Sequence, residues 1–263
     1  ASDVYKRQRI GGLCPVEIEM NDKLRSKEAI DVSIVVPIRD PAPELLARTL
    51  ESALAQEGCT CEVIVVGSTR DQRLYSVMLE RPVRWVRETD FGIYEAMNEG
   101  IRLSRGRYLY FLGAGDTFTS SEAVHRVLRK GSGAHFIYGD VIDEDLGLVG
   151  GYFTKLRLCR TNVPHQGTLY ARELFARLGL YDTRFAILAD YEFNLRCFGA
   201  AWVKRKYTGE IIAFCAGGGV SKRGRDWEFE KEKERLIARY FGVAWGLFYK
   251  VGRTCKRQLW PPG

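Results

Sequence analysis

The sequence predicts an α/β fold, a mostly parallel central sheet flanked by helices, and three observations carry that expectation. First, two apolar runs, Val32 to Ile38 and Cys61 to Val66, are joined by a segment whose Leu45, Leu46, Thr49, Leu50, Ala53 and Leu54 fall on one helical face. Strand, helix and strand at that spacing make a βαβ unit, hence a parallel pair with a right-handed crossover. Second, Val83 to Arg87 reads as a third strand. Third, Glu88 to Asp116 (ETDFGIYEAMNEGIRLSRGRYLYFLGAGD) opens as an acidic turn, runs on as a helix and ends as a strand with a glycine-rich acidic loop.

That third stretch organises the rest. Asp90 stands where an N-cap belongs, with Gly92 and Ile93 opening the helix behind it. Ile93, Met97 and Ile101 give the helix one apolar face, and Gly106 ends the turn after it. Tyr108 to Leu112 has the aromatic and aliphatic character of a buried strand. Gly113-Ala114-Gly115-Asp116 then sets a carboxylate on a loop at the strand's carboxyl end, the edge where open α/β sheets bind ligands. A helix N-terminus and a carboxylate meeting there suit a phosphorylated ligand, the carboxylate acting through a divalent cation.

The second half reads more loosely, with glycines at 131, 133, 147, 150 and 151. Ser121 to Lys130 predicts a helix with Val124, Val127 and Leu128 inward, and Phe136 to Val141 a strand followed by the acidic turn Asp143-Glu144-Asp145. Gly150 to Leu158 is expected to pair back as a hairpin. A helix is predicted over Arg172 to Leu178, and strands over Trp202 to Tyr207 and Ile211 to Cys215. Beyond Asp226, Leu236, Ile237, Tyr240, Phe241, Ala244, Trp245 and Phe248 predict one amphipathic helix, with Lys250, Arg253, Lys256 and Arg257 behind it. Apolar aromatics beside a basic tail suit an interfacial helix on anionic lipid. Packing of the same helix on the domain is the other reading, and both hold together if only its end is exposed.

Composition narrows the class. At 263 residues, 46% hydrophobic and 12% aromatic, the chain has enough apolar material for a globular enzyme. Its charge of 40 − 33 = +7 favours polyanionic partners, of which nucleotide phosphates, nucleic acid and an anionic membrane face are the candidates. A nucleic-acid role rests on net charge alone and is not expected. The seven cysteines (Cys14, Cys59, Cys61, Cys159, Cys197, Cys215, Cys255) are odd in number and scattered, with only three histidines, so neither a disulfide framework nor a zinc site is indicated. With no signal peptide and no spanning apolar run, the expectation is a cytoplasmic protein, at most peripheral on a membrane. Neither Gly-x-Gly-x-x-Gly nor Gly-x-x-x-x-Gly-Lys follows the first two strands, so the sheet lacks both a dinucleotide fingerprint and a P-loop.

Motifs in order along the chain resemble the nucleotide-sugar glycosyltransferases of family 2, in their polysaccharide-assembly branch, whose sheet domain is called GT-A. Glu88-x-Asp90-x-Gly92-Ile93-Tyr94-x-Ala96-Met97-Asn98 is similar to the family's S-E-x-D-x-G-I-Y-D-A-M-N, and Phe111 to Asp116 resembles its F-L-N-A-D-D, a variant of the metal-binding D-x-D. Pro37-Ile38-Arg39-Asp40 resembles the P-T-Y-N-like turn that borders base and ribose. The family's D-D-G-S-T-D is represented by Gly67-Ser68-Thr69-Arg70-Asp71, without the base-contacting first aspartate, so Asp71 is the candidate substitute. His165-Gln166-Gly167 resembles the H-Q-(G/A/S) element near the donor, and Gly217-Gly218-Gly219-Val220-Ser221 the G-G-x-S loop beside the diphosphate. Ala189-Asp190-Tyr191-Glu192-Phe193-Asn194-Leu195-Arg196 resembles (S/A/E)-D-Y-D-L-x-L-R, whose aspartate faces the acceptor.

The resemblance spans roughly residues 31 to 221 and implies a GT-A, Rossmann-like fold with a smaller acceptor-side part. Residues 1–30 are read as an N-terminal extension whose first nine residues look non-native, and 222–263 as the amphipathic helix with its basic tail. It also implies inverting transfer from a nucleoside diphosphate sugar to a saccharide or lipid-linked saccharide acceptor, with Mg2+ or Mn2+. The Q-x-x-R-W signature of processive members is absent, which favours addition of one sugar.

Such a transfer needs charge neutralisation on the departing diphosphate and a base for the acceptor hydroxyl. Asp190 is the candidate base and Asp116 the candidate metal ligand, with Gly115 standing where the family carries a second carboxylate. Mg2+ asks for only one or two protein carboxylates plus phosphate oxygens. Glu88, Asp90, Gly92 and His165 are expected on the donor side with Gly218, Gly219 and Ser221, and Tyr191 and Glu192 on the acceptor side. Each has a plainer reading: Asp90 and Asp190 as helix caps, Asp116 as a cap or turn residue, His165 as structural. A glycosyltransferase-like binder without turnover is the first alternative. A sugar nucleotidyltransferase is the second, and it wants a basic glycine-rich loop where Arg39-Asp40-Pro41-Ala42-Pro43 stands.

Overall fold

The structure, a computed structural model, describes residues 17–19, 29–69, 71–87, 92–217 and 224–259. The strands among them are β1 (Glu17–Glu19), β2 (Val32–Arg39), β3 (Cys61–Ser68), β4 (Arg84–Arg87), β5 (Tyr108–Phe111), β6 (Thr117–Phe118), β7 (Phe136–Asp143), β8 (Gly147–Val149), β9 (Thr168–Ala171) and β10 (Arg205–Cys215). They form one sheet in the order β1-β4-β3-β2-β5-β9-β7-β10-β6, with β8 paired to β7. The left half, β4-β3-β2-β5, is parallel. Past β5 the sheet is mixed: β9 lies antiparallel between β5 and β7, and β7 and β10 are again parallel.

The crossovers are helical. α1 (Pro43–Leu54) links β2 to β3, α2 (Gln72–Leu79) links β3 to β4, and α3 (Ile93–Leu103) links β4 to β5. The two central strands are continuous apolar runs, VSIVVPIR and CEVIVVGS, buried almost end to end as a parallel strand covered on both faces should be. The second half adds α4 (Ala123–Lys130), the single turn α5 (Lys155–Leu158), α6 (Arg172–Leu178), α7 (Ala189–Gly199), α8 (Trp227–Phe241) and α9 (Val243–Leu259).

An aromatic cluster binds the halves together. Phe175 of α6 stacks on Phe193 of α7 at 4.4 Å, and Phe111, Tyr170 and Tyr181 pack edge-on around the pair. Burying each such ring contributes about 2 kcal/mol, and the cluster fixes α7 against β5 and β9. Asn98 of α3 completes the clamp, giving its amide to the Tyr181 carbonyl and accepting the Tyr181 N–H, both at 3.0 Å.

Several expectations change. α3 begins at Ile93 with Gly92 in the cap position, two residues after Asp90, which lies outside the described residues. Gly150 to Leu158 contributes no strand: the return strand is the shorter β8, and Lys155–Leu158 is a helical turn capped by the Thr154 hydroxyl. Trp202 lies outside the strands, and the two runs expected at 202–207 and 211–215 are one bulged strand, β10.

The C-terminal stripe is two helices. Gly242, at φ +103° and ψ 156°, takes a conformation essentially reserved for glycine, and its N–H closes α8 on the Ala238 carbonyl. The apolar stripe reads through this break because the residues on either side keep helical spacing.

Candidate active site

Parallel pairing of β3, β2 and β5 brings their carboxyl ends to one edge. Pro37 and Ile38 are the last buried residues of β2, and Arg39 and Asp40 emerge exposed at the edge. Asp40 adopts φ +43° and gives its N–H to the Ser68 carbonyl at 3.4 Å, tying the two strand ends together. Asp71 serves its own helix. It caps α2 by accepting the Arg73 N–H at 2.9 Å, and the Arg73 guanidinium beside it holds its carboxyl below the usual range.

After β5 the chain turns through the Asp116 loop. Gly115, at φ +107°, lets the turn close, and Thr49 of α1 secures it, accepting the Gly115 N–H and donating to the Asp116 carbonyl, both at 2.9 Å. The Asp116 side chain is only 6% exposed. Its Oδ1 accepts the Ala216 N–H at 2.8 Å and its Oδ2 accepts from Gln166 Nε2 at 3.1 Å. Burial pushes its carboxyl above the ordinary value, opposed by those two donors and by the field of His165.

Asp190 lies in the first turn of α7, with Leu188 in the cap position, so it is not the helix cap. It too is 6% exposed. Tyr94, in the first turn of α3, places its hydroxyl 2.8 Å from Asp190 Oδ1 and 2.6 Å from the Ile187 carbonyl. Asn162 donates to Asp190 Oδ2 at 2.8 Å. Behind Asn162 runs a buried relay: Asn194 Nδ2 donates to Asn162 Oδ1 at 2.8 Å, and the Tyr170 hydroxyl donates to Asn194 Oδ1 at 3.0 Å. His165 Nδ1 stands 3.8 Å from Asp190 Oδ2. Burial raises the Asp190 carboxyl above the ordinary range, opposed by His165, Tyr94, the Tyr191 N–H and Asn162.

The short 3-10 turn His165–Gly167 therefore reaches both carboxylates, through Gln166 to Asp116 and through His165 towards Asp190. On the far side of the Asp116 loop, Gly217 gives its N–H to Glu144 of the acidic turn at 2.6 Å. Gly218, Gly219 and Ser221, which follow it, lie outside the described residues, as do Glu88 and Asp90.

The side chains of Tyr191 and Glu192, expected on the acceptor side, are buried and turned to other partners. The Tyr191 hydroxyl donates to the Leu158 carbonyl, and the Lys233 ammonium lies 4.6 Å from its ring. Glu192, 2% exposed, pairs with Arg196 and accepts from the Tyr240 hydroxyl at 2.6 Å. That ion pair lines a cavity of about 530 Å3 between α6, α7 and α8. A Glu two residues after Asp190 points elsewhere on a helix.

Sequence reasoning gave no role to Tyr94, Asn162, Gln166, Asn194 or Ala216. Tyr94 and Gln166 lay inside matched motifs, whereas nothing in the local sequence marks Asn162. Among the described residues no three His, Cys, Asp or Glu side chains gather as a metal site, and no helix is long and apolar enough to cross a membrane.

The family model described as Glycosyl transferase family 2 matches residues 33–208. The PGL/p-HBAD biosynthesis glycosyltransferase of Mycobacterium bovis is 34% identical over 211 residues, which is 76% of this chain and 82% of that protein. Among solved structures, S. aureus TarS in complex with UDP-GlcNAc superposes with a TM-score of 0.62 at 14% identity, covering 89% of this chain and 76% of that one. The mannosyltransferase PcManGT from Pyrobaculum calidifontis, solved with GDP-Man and Mn2+, superposes at 0.56 with 14% identity, covering 90% and 77%. At those identities the superpositions establish the GT-A-like fold.

Proposed function

We propose that this chain, a glycosyltransferase belonging to family 2, moves a single sugar from a nucleoside diphosphate sugar, with inversion, to a saccharide or lipid-linked saccharide acceptor. The observation that carries the reading is the meeting of Asp116 and Asp190 at one dipeptide, His165-Gln166. That arrangement supplies the two carboxylates the reaction needs, one on the diphosphate side and one on the acceptor side. The transferase unit is residues 31–221, with 222–263 as a C-terminal addition.

Asp190 takes the proton of the attacking hydroxyl. Its raised affinity for a proton suits that role, since a base with an ordinary carboxylate value binds a proton too weakly near neutral pH. Tyr94 accommodates the change. Its single hydrogen serves Asp190 Oδ1 while the carboxylate is charged, and turns to the Ile187 carbonyl, 2.6 Å away, when Oδ1 carries a proton. Asn162 holds Oδ2 throughout, itself held by Asn194. His165 contacts the diphosphate or the sugar, and Pro37 to Asp40 border the nucleotide, with Gly218, Gly219 and Ser221 beside the diphosphate.

Asp116 fits a divalent cation, Mg2+ or Mn2+, as a single carboxylate. Its Oδ1 accepts the Ala216 N–H and its Oδ2 the Gln166 amide; a carboxylate's roughly four acceptor positions leave room for an ion beside them, and phosphate oxygens complete such a set. When bound, the ion neutralises charge developing on the departing diphosphate. Ala216 and Gln166 fix the carboxylate so that it need not reorganise.

The test is nucleoside diphosphate release from UDP-, GDP- and dTDP-sugars with Mg2+ or Mn2+, run beside thermal-shift measurements of the same ligands. Release that depends on Asp190 supports the reading; an Asp190→Asn variant as fast as its parent ends it. The lone carboxylate of the Asp116 loop favours, as a second reading, a domain that binds without turnover. Such a domain shows the thermal shift and releases no diphosphate.

A further inference from the structure

α8 and α9 form an antiparallel hairpin about Gly242. Gly246 packs where a Cβ would come within 2.6 Å of Ala238 Cβ, the Lys233 ammonium lies 5.6 Å from the Tyr249 ring, and Lys250 lies 3.7 Å from Glu234. Among the described side chains of α9, those on one side, at Trp245, Gly246 and Tyr249, make this packing. The adjoining face carries Val243, Leu247, Phe248 and Val251, which are 71%, 58%, 53% and 62% exposed. Four large apolar side chains on one helical face, with no described residue covering them, are far from the single exposed hydrophobics of an ordinary surface.

The charge carried by α9 itself and by the residues after it has one sign. From Val243 to Gly263 the chain holds Lys250, Arg253, Lys256 and Arg257 and no acidic residue. The antiparallel register, with Gly246 on Ala238 and Lys250 near Glu234, runs α9 back along α8 towards the end that begins at Trp227, a tryptophan 62% exposed. The same end is tied to the candidate active site. Asp226 caps α8 through the Phe229 N–H at 3.1 Å, and its Oδ2 accepts the N–H groups of Ile187 and Leu188, at 2.9 and 3.0 Å, in the segment leading into Asp190.

We propose that the exposed face of α9 docks on a bilayer surface containing anionic lipid, seating its apolar side chains at the acyl boundary and its basic half among the headgroups. Apolar residues flanked by lysine and arginine on one amphipathic helix are what such a surface binds. A second copy of the same face suits it poorly, because it would offer the basic half no counter-charge. Docked this way, the Asp226 end faces the membrane region, so a lipid-linked acceptor reaches Asp190 from the bilayer; this last step rests on the function proposed above, whereas the docking does not.

The experiment is co-sedimentation of the full chain with vesicles of phosphatidylcholine alone and of phosphatidylcholine with phosphatidylglycerol, at low and high salt. The expected result is binding to the anionic vesicles only, weakened by salt. Binding should fall about tenfold or more in a Leu247→Gln, Val251→Gln double variant and also in an Arg253→Gln, Lys256→Gln, Arg257→Gln triple variant. Both should keep the parent's melting temperature and donor turnover. No binding by the parent, equal binding to neutral vesicles, or full binding by the double variant overturns the proposal. So does light scattering that shows a dimer dissolved by the double variant when the parent ignores vesicles. Because vesicle binding is read without turnover, its failure leaves the proposed reaction standing, and loss of turnover leaves the docking standing.

Discussion

Asp116 and Asp190 are joined through one dipeptide: Gln166 donates to Asp116 Oδ2 at 3.1 Å, and its neighbour His165 stands 3.8 Å from Asp190 Oδ2. The two carboxylates come from opposite halves of the chain, one on the loop after β5 and the other in the first turn of α7. The short turn directly before β9 reaches both, so the spacing of the site is a property of the mixed half of the sheet. Four predictions follow from that arrangement and from the helices behind it.

Asp190→Asn should lower kcat about a hundred- to ten-thousandfold while nucleotide binding, read by calorimetry, stays near the parent's. The acid limb of the parent's kcat profile should lie above the ordinary carboxylate value of about 3.9, because burial raises this group and only its charged form accepts a proton. Asn162→Ala removes a hydrogen bond that favours the charged form, so its limb should move to still higher pH. A limb that stays in place would show that Asn162 does not tune the base.

Asp116→Asn should weaken nucleotide binding in the presence of Mn2+ and leave binding without metal little changed. Its stability follows from sign. A carboxyl raised on folding contributes stability below its unfolded value, and that contribution is lost as pH rises through the folded value. The asparagine variant should therefore melt no lower than the parent at pH 8, and lower relative to it at pH 4. Asparagine can keep the Ala216 N–H, and Gln166 can meet the new amide by flipping its own.

Glu192→Gln should destabilise by about 3 kcal/mol in urea unfolding, because it strands the half-buried Arg196 without its counter-charge. Activity per folded molecule should be unchanged. A loss of acceptor affinity at unchanged stability would place Glu192 on the acceptor side.

Gly242→Ala should cost about 1–3 kcal/mol, since its backbone conformation is one that side chains rarely tolerate. Loosening of the α8–α9 pair should appear as faster amide exchange across 243–252, with donor turnover largely kept.

The left half of the fold was legible because continuous apolar runs and helical stripes are local signals, and β2, β3 and β5 lie close to where the pattern puts them. β9 was not read as a strand: Thr168 to Ala171 is short, and it lies antiparallel between β5 and β7, partners remote in sequence. The break at Gly242 was hidden by helical spacing that continues through it. Of the site, Asp116 and Asp190 were found as motif residues, while Asn162 and Ala216 acquire meaning only from what they touch.

The sequence by itself determined the α/β class, the parallel strand–helix order, the family and the acidic residues worth testing, because periodicity, turn chemistry and motif identity are written in neighbouring residues. The tertiary structure decided that Asp116 and Asp190 share one dipeptide, that Glu192 is sealed in an ion pair, and that α9 turns an apolar face outward. Those facts depend on which distant segments pack together, and the burial that raises both carboxyls does not exist until they do.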